Sequence, residues 1–208
     1  MVERWRRVTA VGSVLGASLS VVSRLPPAWY GSRPTDSYVF DPALFSPLWV
    51  ERVLMPMLAL VGTIGLIGGL VALVSRDWGS NRLQTVGGAL SVLGAISAVA
   101  GLYGPELVAP ANTPVGPVSG LAGFALSAWG GLLLLLGGPL LAYSYIRAAR
   151  GRLGWTLLGF VPAGVILDYL FLGGFGDVVS TAPVIVLGVA IAWDLEFRRA
   201  LPAADTDP

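Results

Sequence analysis

Apolar runs of membrane-spanning length dominate this chain, and they decide what it can fold into. A bilayer core is about 30 Å thick and a helix rises about 1.5 Å per residue, so roughly 20 apolar residues cross it. Runs at about 8–25, 48–74, 83–103, 118–146, 153–173 and 177–193 approach or exceed that length. Backbone polar groups must be satisfied internally in hydrocarbon, which leaves helices or closed barrels. Runs this long select helices. The expectation is an all-α integral membrane protein: one transmembrane domain over 1–208, folded as a six-transmembrane-helix bundle. Charged residues are 12% of the chain and hydrophobic ones 55%, whereas a soluble domain carries about 25% charge.

The first run, 8–22, lies between Arg7 and Arg24 and is slightly short. Both arginines can reach outward to the headgroups, and Leu25 extends the run. Arg4, Arg6 and Arg7 would also suit a signal peptide, but no clean small-x-small cleavage site stands out before Arg24, so a retained helix is expected. The connection 26–47 is rich in Pro and aromatic residues, which favour the membrane interface. Asp41-Pro42 there pairs an N-cap with a proline at the first helical position, the start of a short interfacial helix. Ser46-Pro47 repeats the signal before the second span. Pro56, Pro139 and Pro162 fall inside spans and should bend them. Residues 75–82 read as a short polar loop and 194–208 as a polar tail.

Arginine placement sets the orientation. With the N-terminus in the cytoplasm, ten arginines (4, 6, 7, 76, 82, 147, 150, 152, 198 and 199) fall inside and three (24, 33 and 52) outside. This asymmetry follows the positive-inside rule and expects both termini to be cytoplasmic in a multi-pass plasma-membrane protein. Lipid removes the hydrophobic drive between helices, so small residues must carry close packing. Gly12 and Gly16, Gly65 and Gly69, Gly87 with Ser91 and Ala95, and Gly123 with Ser127 and Gly131 are spaced four apart. Each set shares a helical face. They are expected to pack within the bundle rather than between copies.

Net charge is +1, which leaves no electrostatic footprint for nucleic acid. The chain has no cysteine and no histidine. That excludes disulfides, thiolate and imidazole metal ligands, and Ser-His-Asp chemistry. No cofactor is expected. The expected partners are the lipid bilayer and other membrane subunits or a second copy.

Asp168 stands out as an ionisable residue within a span, a functional candidate by default because a charge there is costly. The turn 173–176 places it about level with Asp177, on the two arms of a helical hairpin. Facing carboxylates would raise one pKa and could share a proton or hold a cation. Arg24 or Arg52, on the same outer side, could instead neutralise Asp168, with Asp177 capping the last helix. Gly174-Phe175-Gly176-Asp177 matches GxGD and resembles the second aspartate motif of presenilin-like and prepilin-peptidase intramembrane proteases. The resemblance implies an aspartate dyad that activates water. The chain departs from the pattern: its other aspartate reads Asp168-Tyr169, nine residues before Asp177, and Pro42-Ala43-Leu44 lies upstream rather than downstream. Three functions follow in order of expectation. The first is a non-catalytic accessory, structural or partner-binding membrane subunit. The second is a small proton, cation or solute transporter or channel using Asp168 with Asp177. The third is a carboxylate-based intramembrane enzyme.

Overall fold

A computed structural model of the chain describes residues 2–25, 49–50, 54–108, 116–170 and 176–198. These residues form six α-helices and, among themselves, no strand. They are α1 (Val2–Val22), α2 (Met55–Arg76), α3 (Arg82–Val108), α4 (Gly116–Arg147), α5 (Gly151–Leu170) and α6 (Gly176–Phe197). Four of them, α2, α3, α4 and α6, are long and apolar enough to cross a membrane. Many of their large apolar side chains point outward: Ile64, Leu102, Leu121, Phe124 and Leu135 are exposed. Such a surface would be insoluble in water and is suited to lipid.

Each helix packs on the next in sequence, and α6 closes back on α1. The neighbours are antiparallel. Along α1, Gly12, Gly16 and Ser20 meet Gly65, Gly62 and Gly62 in turn, so α2 descends as α1 rises. A Cβ on Gly62 would lie 2.6 Å from the Gly16 carbonyl oxygen, and one on Gly65 would lie 2.5 Å from that of Gly12. The two backbones touch because neither helix carries a side chain there. Gly69 lies against Ser13, and Gly188 of α6 against Ser13 and Ala17.

The α3–α4 seam is the longest close contact. Along it Gly87 of α3 meets Leu141 of α4, Ser91 meets Gly137, Gly94 and Ala98 both meet Gly130, and Gly101 meets Ser127 and Gly123. The α3 positions advance by four and three alternately, a mean period of about 3.5 that keeps one seam on the partner along a left-handed supercoil. A strict step of four instead drifts around the helix by about 40° each time. This is why Gly131, expected on the packing face, is not on it. A Cβ at Gly131 would meet nothing within 4 Å, whereas one at Gly130 would collide with the backbone of Gly94 and Ala98.

Two sequence boundaries shift. Pro56 occupies the first turn of α2 instead of its interior. There its missing N–H costs no hydrogen bond of the α-helix that follows, and Leu54 before it is in π-helical geometry. Pro139 and Pro162 do lie inside α4 and α5. Asp194, expected in the tail, lies in α6 and is buried. The 26–47 connection and its interfacial helix lie outside the described residues.

Candidate functional site: a buried charge ring at one end of the bundle

The antiparallel order brings the starts of α1, α3 and α5 together with the ends of α2, α4 and α6. This is the arginine-rich end. Its helix corners are built to aim polar side chains inward. Asp77 ends α2, and its N–H donates to Leu73 O. Gly79 follows with φ +80, a conformation open to glycine at little cost. Asn81 then caps α3: its side-chain oxygen accepts the Gln84 N–H at 2.7 Å. After α4 the chain turns through Ala149, at φ 59. The Arg150 N–H returns to the Tyr145 carbonyl at 2.9 Å, as in a Schellman cap. That turn folds Arg150 back over Tyr145, its guanidinium 5.7 Å from the ring centroid.

Inside these corners Arg76, Asp77, Arg150 and Asp194 form a closed ring of alternating charge. Arg150 Nη1 donates to Asp77 Oδ2 at 2.7 Å and to Asp194 Oδ2 at 3.1 Å. Arg76 Nη2 donates to Asp77 Oδ2 at 2.9 Å and also to Asp194 Oδ2. Arg76 Nε adds a bond to Asp77 Oδ1 at 3.1 Å, and its Nη1 one to the Asp194 carbonyl at 2.7 Å. Two guanidinium and two carboxylate charges sum to zero. The side chains of Asp77, Arg150 and Asp194 are no more than 4% exposed. Taking such charges out of water costs several kcal/mol per ion unless they are paired and hydrogen-bonded. Here each carboxylate meets both guanidinium groups.

A neutral chain of donors extends the ring into the bundle. Tyr145 Oη donates to Asp77 Oδ2 at 3.2 Å, Gln84 Nε2 donates to Tyr145 Oη at 3.4 Å, and Ser80 Oγ donates to Gln84 Oε1. Tyr145 is fully buried. Tyr145→Phe should therefore lower stability by about 1–3 kcal/mol, because Asp77 and Gln84 each lose a buried partner. A thermal-unfolding midpoint in detergent equal to that of the wild type would contradict this. On the rim, Arg6 Nη2 donates to the carbonyls of Leu195 at 2.5 Å and Arg198 at 3.0 Å, tying α1 to α6. Arg198 Nη1 donates to the Ala149 carbonyl at 3.1 Å.

The sequence-derived site lies at the opposite end. Asp168 is in the last turn of α5 and Asp177 in the first turn of α6, but both side chains lie outside the described residues. Arg52 and residues 174–175 of the GxGD segment lie outside them as well. Arg24 is exposed just past α1, its N–H on the Val21 carbonyl at 3.0 Å. The charge ring was missed because Arg76, Arg150 and Asp194 read as loop and tail charges that fix orientation. One signal was present. The topology already puts Asp77, Asp194, Arg76 and Arg150 at one depth, and opposite charges at one depth of a tight bundle can meet.

Around this end runs a girdle of exposed aromatic residues: Trp5, Trp78, Tyr143, Trp155 and Trp193. Such rings favour the headgroup level, and Arg147 sits 5.3 Å from the Tyr143 centroid. The ring thus lies at the level of an aromatic belt, beneath a rim of arginines. No protein-family model matches the chain, and no curated protein or solved structure is similar to it at a significant level.

Proposed function

We propose that the chain is a six-span plasma-membrane bundle with cytoplasmic termini that acts as a non-catalytic accessory or partner-binding subunit. The charge ring carries this reading. Its four ionised groups face one another and sum to zero, so they fix the ends of α2, α5 and α6 relative to one another. A reactive or conducting site would instead aim a charge at a substrate or a water path. The small-residue seams support the same reading, since they favour a rigid scaffold over a mobile one. The alternating contacts at the arginine-rich end support six crossings, with α1 and α5 completing the four long spans.

Affinity capture of the full-length protein from native membranes in mild detergent tests the subunit role. A stoichiometric membrane partner is expected, and a chain that always purifies alone would contradict it. The absence of cysteine makes the topology directly measurable. Single cysteines at Val2 and Ala204 should react with an impermeant maleimide only from the cytoplasmic side, and one at Ser37 only from outside. Labelling of Val2→Cys and Ala204→Cys from opposite faces would rule out an even number of crossings.

A further inference from the structure

The ring leaves a cleft on its outer flank, between the start of α5 and the end of α6. The cleft holds about 230 Å³ and is lined by Arg150, Arg152, Arg198, Leu153, Val189 and Trp193, with Val186, Ala190 and Asp194 completing it. Its two ends differ in chemistry. Arg152 is exposed and the Arg198 side chain is 43% exposed, so both cationic heads can reach a ligand. Asp194 contributes a negative charge to the lining, but that charge is engaged mainly by Arg76 and Arg150, with Arg198 Nε farther off at 3.9 Å. Going up α6 from Trp193 to Val186, roughly 10 Å at the helical rise, the wall becomes apolar. Val186 is 59% and Val189 47% exposed on that face. Trp193, its ring tilted against that of Phe197 at 4.4 Å between centroids, marks the level where headgroup gives way to hydrocarbon.

From this amphipathic lining we infer that the cleft is a binding site for an anionic phospholipid. The phosphate would sit at Arg152 and Arg198, and the first part of an acyl chain would lie along Leu153, Val189 and Val186. Basic pockets between helices at a membrane interface hold lipid headgroups through charge and chain packing together. A free phosphate would use the arginines but not the apolar wall, and that wall favours the lipid. The inference rests on the membrane-embedded reading and needs no subunit role. Loss of lipid binding with a partner still captured would overturn it alone.

The test uses delipidated full-length protein in a neutral detergent, with thermal unfolding followed by tryptophan fluorescence. Phosphatidylglycerol should raise the midpoint saturably, while phosphatidylcholine and inorganic phosphate should leave it near the lipid-free value. The double variant R152Q/R198Q should weaken the apparent affinity for phosphatidylglycerol by about 30-fold, at roughly a factor of five per cation. V189W, which fills the apolar wall and keeps every charge, should also abolish saturation. Equal stabilisation by phosphatidylcholine, or unchanged affinity in R152Q/R198Q, would overturn the site. Saturable binding of inorganic phosphate that V189W leaves intact would make it a phosphate site and overturn the lipid assignment.

Discussion

Arg150→Met should destabilise the bundle by about 3–5 kcal/mol, the cost of leaving a buried charge without its partner. Methionine fills much of the same space, so the loss reports charge more than volume. Arg76 would then be the one guanidinium bridging two carboxylates, Asp77 and Asp194, both almost fully buried, with Arg198 only at 3.9 Å from Asp194. Arg150→Lys should recover only part of the loss. Its compact ammonium lacks the planar fork that presents fixed donors to neighbouring carboxylates. Reversible unfolding in mixed micelles measures both variants. A change below about 1 kcal/mol for Arg150→Met is the size of an exposed pair and would contradict burial of the ring.

The second large effect should appear at the seams, in pairs of nearby glycines with opposite outcomes. Gly130→Ala would push a methyl group into the backbone of Gly94 and Ala98, while Gly131→Ala would enter open space. Gly16→Ala would collide with the backbone of α2 at Gly62 and Gly65, while Gly12→Ala meets nothing within 4 Å. Backbone cannot rotate away as a side chain can, so Gly130→Ala and Gly16→Ala should each cost about 1–3 kcal/mol. Gly131→Ala and Gly12→Ala should be neutral, or stabilising by up to about 1 kcal/mol through lower chain entropy. The same unfolding assay reads all four. Equal effects at Gly130 and Gly131 would contradict the seam.

These glycines show how far the sequence could be read. Span lengths and arginine placement fixed on helices and on their alternation, because bilayer thickness and backbone satisfaction leave few choices. Stripes of small residues were visible, yet the i,i+4 rule put Gly131 on the packing face. The period of a supercoiled pair is a property of two helices together and selects Gly130. The charge ring was harder to see for a similar reason. One sequence cannot tell an arginine in a loop from one folded back under a Schellman turn, and that turn at Ala149 brings Arg150 over Tyr145. Asp168 drew attention because it is isolated within a span, whereas Asp77 and Asp194 sit at helix ends where charge is ordinary. Their significance comes from convergence, which neither position reveals by itself.

The ring is central to how the helix ends are held, and a double-mutant cycle between Asp77 and Arg150 tests it most directly. The cycle compares Asp77→Leu, Arg150→Met and the double variant in the same unfolding assay. A direct buried pair predicts that the double variant loses less than the sum of the singles, by about 1–3 kcal/mol, because each single strands the other charge. Losses that add within about 0.5 kcal/mol, as for sites that do not touch, would contradict the account.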